Sequence, residues 1–500
     1  MKKRIAYIAA VSATLLLFTA CQNDPAPVSS DVSEPEPSVS TSVSEQAGES
    51  TTAQGTSAIG SSATSAAKSE SGTEKSEETT KKVRKTVATT AHQAQNGNFV
   101  VTPQYTIQEA AKKFTNANVK LNSVTKVASV RSRIADVDKA YSYTHHPGLA
   151  VFKGKLYASY SNGYKVEDTP GQRVVVSSID LNKFGSGSWS TPKVIGAPGK
   201  SAFAGAGGVP DDAEKFCLNS FLYTDGNKLY AVYMERDYGP DSYYNGAYVY
   251  DKQSQSFDGK HYHPQPTVSS KVMMTYTTDG VNWSTPTEFG YAANETPRQS
   301  LTGQWFAGSG DRLLYSSKES PAISATAWKL VGMTDTQTRN SNARQSNSAG
   351  ALTESSWYQT EDKIIHQVFR SGDSCLFLAE SYDNGKTWTE AYPTNFRQDT
   401  SMAKFGALPD GRYYYIGNAN YNAPGQRNPL YIFLSEDGYN FDKAYILRDE
   451  KYTVQADVNW TKVGAHSYPE ALVEGDYLYV VYSEMREVME VTRVKLSDIK

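Results

Sequence analysis

The stretch SYDNGKTW, Ser381–Trp388, sets Ser, Asp, Gly, Thr and Trp at fixed offsets between two apolar runs. Such a pattern builds a hairpin turn. The Asp carboxylate accepts backbone N–H groups, Gly takes the positive φ, and the aromatic ring packs between strands. Shorter variants recur as TTDGVNW (Thr277–Trp283) and SEDGYNF (Ser435–Phe441), and SIDLNKFGSGSW (Ser178–Trp189) reads as a copy with an insertion. Around these turns lie short runs such as KLYASYS, KLYAVYM, RLLYSS, IIHQVFR, RYYYIGN and YLYVVYS. Each has the length and apolar content of a buried strand, and most follow a Gly or Asp-Gly turn. A strand-turn-strand unit recurring every few tens of residues predicts an all-β propeller of four-stranded blades. Six blades are expected, beginning near Thr144, Phe216, Arg298, Leu352, Met402 and Gly464, with seven as the alternative count. The segment before Thr144 would then add a closing strand to the last blade. Helix signals are sparse, the best being TIQEAAKKF ahead of the first blade.

SYDNGKTW matches the Asp box of the sialidase superfamily at each defining position, so the chain resembles that superfamily from roughly Tyr143 to Ser497. Asp boxes lie at blade edges, which makes the match a fold signal and keeps those residues out of the expected site. The resemblance implies a pocket in which three arginines bind a substrate carboxylate, a tyrosine paired with a glutamate is the nucleophile, and an aspartate is the acid/base. TESSWYQTEDKIIHQVFRSGDSCLFLAESYDNGKTW resembles the family's glutamate-arginine-Asp-box segment and places Glu354 and Arg370 there. NANYNAPGQRNPLYIFLSEDG resembles the loop of the third arginine, giving Arg427. HSYPEALVEGDYLYVVYS resembles the tyrosine segment, giving Tyr468 with Pro469 directly after it.

The first blade departs from the family. Where sialidases carry Arg-Ile-Pro, this chain reads HHP, so His145 stands at the first arginine's place, followed by His146. The loop SNGYKVEDTPGQRVVVSS offers Glu167, Asp168 and Arg173, with Asp168 nearest to the acid/base position and Arg173 a further carboxylate-binding candidate. Guanidiniums suit a carboxylate through planar, bidentate contacts. A neutral tyrosine activated by Glu354 suits an anionic sugar, which would repel a carboxylate nucleophile. Histidines near neutral pKa serve as general acids or bases. The loss of one arginine leaves three readings open. One is a glycoside hydrolase of terminal acidic sugars, one a uronate-directed polysaccharide lyase on the same fold, and one a non-catalytic glycan-binding protein. No cofactor motif appears, and HYHP (His261–Pro264) has two histidines but no further metal ligand nearby.

The N-terminal fifth of the chain differs in kind. Lys2, Lys3 and Arg4 precede an apolar run ending in LFTAC, which reads as an export signal over residues 1–20. It resembles a bacterial lipobox, with Phe18 where leucine is usual, and implies lipidation at Cys21. Residues 21–98 are rich in Ser, Thr and Glu, and no Phe, Tyr or Trp occurs between Phe18 and Phe99. That composition predicts a disordered stalk with a reach on the order of 50 Å, leaving 99–500 as the propeller. The expected location is the outer face of the cytoplasmic membrane. The expected partners are an acidic glycan and, through the lipid, the membrane, with the chain a monomer. The formal net charge of −3 gives no argument for nucleic acid. Cys217 and Cys375, in separate strand-like runs, are expected as free buried thiols rather than as a disulfide.

Overall fold

The computed structural model describes residues 112–206, 209, 211–239, 250–251, 256–257, 267–346, 351–419, 425–456 and 462–500. The export signal, Cys21, the stalk, His261 and His263, and all but the end of TIQEAAKKF lie outside these residues.

Six four-stranded antiparallel sheets are present among the described residues, and they are the blades of a propeller. Blade I runs Tyr143–Phe152, Lys155–Gly163, Arg173–Asp180 and Lys193–Gly196. Blade II runs Phe216–Thr224, Leu229–Tyr238, Thr267–Thr277 and Thr287–Glu288. Blade III is the shortest, with Arg298–Gln299, Trp305–Ser309, Arg312–Ser316 and Lys329–Gly332. Blade IV runs Thr353–Gln359, Ile365–Arg370, Cys375–Ser381 and Tyr392–Arg397, and blade V Lys404–Ala407, Tyr413–Gly417, Leu430–Ser435 and Lys443–Arg448. Blade VI takes three strands from the C-terminal end (His466–Glu474, Tyr477–Glu484, Val488–Lys495) and its outermost strand, Ser129–Arg133, from the N-terminal side. The blade count and the early closing strand are those the repeats predict. The helix Asp335–Asn342, capped by a Thr334–Gln337 capping box, lies between blades III and IV and was not expected.

Each interface between neighbouring blades has its own apolar cluster. Phe405, Tyr415, Phe433 and Phe441 join Tyr358 and Val368 between blades IV and V, with Phe405 and Tyr415 stacked at 4.7 Å. Leu149, Leu156, Val175, Val481 and Val491 do the same between blades I and VI. Sheets stacked face to face at about 10 Å bury alternate side chains in this way. Phe114, fully buried, wedges into the IV–V cluster, and Thr115 bridges Asn395 and Asn440. Charge also crosses blades. The Lys404 ammonium lies 2.7 Å from Glu295 and 2.6 Å from Glu470, all at most 1% exposed, which links the inner strands of V and VI to the entry of III.

The four Asp-box turns all join third to fourth strands. In Ser381–Trp388, Asp383 accepts from the N–H groups of Lys386 and Thr387 at 3.1 and 2.9 Å, and Trp388 is buried. The inner strands begin at the opposite end of the blades. There, register slips fall between His145 and Gly148, Thr353 and Ser356, and Ser467 and Glu470. Each slip contains one residue with positive φ: His146 (52°), Glu354 (48°) and Tyr468 (56°). A bulge of this kind bends a strand and re-aims a side chain. Three blades therefore use one local device to turn three polar residues toward the same mouth. Cys217 and Cys375 are free, in different blades, and Cys375 is only partly buried.

Candidate active site

Tyr468, Glu354 and Arg370 form a hydrogen-bonded triangle at that mouth. The Tyr468 hydroxyl donates to Glu354 Oε1 at 2.5 Å, and Arg370 Nη1 donates to Glu354 Oε2 at 2.6 Å and to the Tyr468 oxygen at 2.8 Å. Burial alone would raise the Glu354 pKa, but Arg370 and the Tyr468 hydrogen bond outweigh it and hold the carboxylate ionised. Burial pushes the Tyr468 phenol up, and Glu354 adds to this against the pull of Arg370. The pair is thus a neutral phenol poised to pass its proton to a carboxylate.

Arg427 enters from the loop between the second and third strands of blade V, also with positive φ. Asp399 holds its backbone, accepting from Gly425 N at 2.5 Å and Arg427 N at 2.6 Å. Its guanidinium carbon lies 5.2 Å from the Tyr468 ring centre. Gly464 makes room for it, since a Cβ there would stand 2.7 Å from Arg427 Cδ on a backbone of φ 81°. Arg427 is 6% exposed, and its Nε and Nη1 have no hydrogen-bond partner. Burial, then the nearby Arg486, bring its pKa down to about 10.

The two histidines differ in role. His145 is fully buried, 4.1 Å from the Tyr468 ring centre, with Nδ1 2.7 Å from Ser483 Oγ. Burial, then His146 and the arginines, hold its pKa well below the usual value, so it is a neutral wall behind the phenol. His146 faces Glu167, Nε2 to Oε1 3.6 Å, and burial lowers its pKa as well.

Asp168 sits in the loop between the second and third strands of blade I, with φ 56°. Its N–H donates to Gln172 Oε1 at 3.0 Å, and its carbonyl accepts from the Tyr238 hydroxyl at 2.7 Å. Burial and the adjacent Glu167 raise the Asp168 carboxyl to about 7. Glu167 itself is held ionised: burial opposes this, and Arg486 then His146 outweigh it. Two neighbouring carboxyls with pKa values pushed apart are a common signature of divided acid and base roles.

The structure does not bring Arg173 into this cluster. Its guanidinium lies 3.5 Å from the Tyr141 ring centre, with Nε donating to Asn162 Oδ1 at 2.9 Å and Asp138 3.8 Å away. Arg173 pairs across the ladder with Asn162, which holds its side chain there. Instead a third guanidinium comes from Arg486, unmarked in the sequence reading, whose Nη1 donates to Glu167 Oε2 at 2.7 Å. Arg236, also unmarked, lies close enough to influence Asp168 and His146. The signal for Arg486 was available: Met-Arg occupies a tight hairpin where Asn-Gly is usual.

His145, His146 and Glu167 offer one donor atom each within 4.8 Å, a set the sequence reading did not anticipate. Glu167 is already paired with Arg486, and three guanidiniums surround the histidines. That field favours an anion over a divalent cation.

A family model, the BNR repeat-like domain, matches residues 154–480. The chain belongs to this family. Among solved structures, this BNR-repeat protein is similar to a sialidase at 16% identity and TM-score 0.50, over 77% of this chain and 35% of that one. It therefore spans about a third of that sialidase's length. It is also similar to a Trypanosoma rangeli sialidase (11% identity, TM-score 0.47, 75% of this chain and 60% of that one). A third is the intramolecular trans-sialidase of Ruminococcus gnavus (14%, TM-score 0.46, 74% and 98%). At these identities the likeness is one of fold. No curated protein matches the chain.

Proposed function

We propose that this BNR-repeat protein is a glycoside hydrolase that removes a terminal acidic sugar through a tyrosyl intermediate. The observation that carries the reading is the Tyr468–Glu354–Arg370 triangle at the propeller mouth, with Tyr468 buried and its two partners half-buried. Tyr468 Oη attacks the anomeric carbon as Glu354 takes its proton. The bond to the leaving oxygen breaks, and Asp168 gives that oxygen a proton. Water then attacks the same carbon and yields its proton to Asp168, while the phenol recovers its proton from Glu354. Two displacements retain the anomeric configuration.

A neutral nucleophile matters most when a carboxylate sits on the carbon under attack, because a carboxylate nucleophile would meet like charge there. This favours sugars such as sialic acid over uronic acids, whose carboxylate is remote from the anomeric carbon. Elimination from a uronate would draw on a histidine base, and burial leaves both imidazoles weak bases. We also propose that the chain is a surface lipoprotein held through Cys21, with residues 21–98 as spacer, on the strength of the export signal and composition.

The test is to incubate the purified chain with umbelliferyl glycosides of N-acetylneuraminic acid and of glucuronic acid and, separately, with a uronate oligosaccharide. Umbelliferone release from the first supports the reading. New ultraviolet absorbance from a uronate oligosaccharide would replace it with elimination. Binding without product would replace it with a glycan-binding role.

A further inference from the structure

The turn between the second and third strands of blade VI is strained in a way its sequence does not require. Glu487 N donates to Glu484 O at 3.0 Å, and the two residues between, Met485 and Arg486, have φ of 50° and 52°. Left-handed backbone is unfavourable for a residue with a Cβ, and such strain gathers at functional sites. The turn is tied down where blades I and VI meet: Met485 N donates to Ala465 O, and Arg486 O accepts from Thr144 N. The side chain of Arg486 is thereby fixed beside the strand bearing His145 and His146.

Its surroundings hold a surplus of donors. Arg486 and Glu167 form one buried pair, with side chains 7% and 4% exposed. Arg486 Nε has no hydrogen-bond partner, nor do Arg427 Nε and Nη1. The groups facing Arg486 are Tyr143, Tyr468, Arg370, Arg427, Glu167, Asp168 and the two histidines. Glu354 is committed to Arg370, and the Asp399 carboxylate is spent on backbone N–H groups. Two buried guanidiniums with three unmet donor nitrogens suit a ligand with two anionic oxygens.

We propose that Arg486 binds the substrate carboxylate, supplying from blade VI the guanidinium that His145 leaves out of blade I, and that Glu167 holds it in place until the ligand competes for it. This rests on the acidic-sugar reading of the pocket. A buried ion pair kept for stability alone is weakly favourable at best, and it would need neither the strained turn nor the unmet donors.

The experiment is calorimetric titration of the full chain with N-acetylneuraminic acid and with its methyl ester. The wild type should prefer the acid. R486Q should lose at least tenfold of that preference, with R486K recovering part of it. E167Q should increase the preference several-fold, and the gain should vanish in the E167Q/R486Q double variant. That double variant removes the pair together, and its thermal unfolding guards against a mere folding defect. If R486Q keeps the wild-type preference while R427Q loses it, the pocket reading stands and the role of Arg486 is overturned. If the wild type does not separate acid from ester, the pocket reading fails and the proposal fails with it.

Discussion

The Tyr468 hydroxyl lies 2.5 Å from Glu354 Oε1, joining the inner strands of blades VI and IV across the propeller mouth. Neither residue is near the other in sequence, and both sit at positive φ inside a bulge. If the phenol is a nucleophile and the carboxylate its base, Y468F and E354Q should each lower kcat by roughly 10²–10⁴-fold. The double variant should cost little more than either alone, because the two act as one unit. Steady-state kinetics of the three variants checks this. Equal, independent losses would break the pairing.

Asp168 should set the alkaline limb of the pH profile. It must be protonated to serve the leaving group, and its carboxyl is raised to about 7. Activity should therefore fall as pH rises through about 7. It should fall again on the acid side, below the ordinary glutamate range, where Glu354 takes up a proton. D168N should remove the alkaline limb along with most of the turnover. Because Glu167 and Asp168 interact, the limb belongs to the pair.

The same carboxyl should cost stability. A raised carboxyl pKa means the folded state binds a proton more tightly than the unfolded chain does. Its contribution is fully present below the unfolded value near 4 and is lost as pH rises through about 7. At pH 8 the ionised Asp168 should cost on the order of 2–4 kcal/mol. D168N should then gain most over wild type at pH 8 and clearly less at pH 5, as thermal unfolding at the two pH values would show.

Lys404 is the one cation in contact with both Glu295 and Glu470 among the described residues. K404M would leave two buried carboxylates with less compensation, Glu295 keeping Arg298 at 3.1 Å as its cation beside the Gly308 N–H and the Ser356 hydroxyl. The loss should be about 3–5 kcal/mol, read as a lower denaturant midpoint. It should shrink at acid pH, where Glu470, already raised by burial, is protonated.

Much of this architecture is written locally, and its legibility follows from that. Gly and Asp turns between short apolar runs fix where strands start, so the expected blade starts fall within two residues of the observed inner strands. Glu354, Arg370, Arg427 and Tyr468 lie close to the strands and turns that define blades IV, V and VI, so their placement follows from local sequence. Arg173 was misplaced because its environment is set by Asn162 on the partner strand and by Tyr141. The Met-Arg hairpin marks a strained turn at Arg486, but its partner Glu167, more than 300 residues away, is what places it beside the histidines. The helix Asp335–Asn342 gave no periodic signal because it buries only Ser341 and has no apolar face, leaving the Thr334–Gln337 cap as its one mark.

The ring is closed by its earliest strand and its latest. Ser129–Arg133 finds its partner only in Val488–Lys495. A chain made from its N-terminus at about 5–20 residues per second would wait roughly 20–70 s between the two. During that interval the finished blades form an open arc, with the early strand unpaired and the mouth residues of blades I and VI apart. Tyr468 cannot meet His145, nor Arg486 meet Glu167, before the last strands emerge. Any catalytic competence would therefore switch on once, at the end of synthesis, and a prematurely terminated chain would be inert.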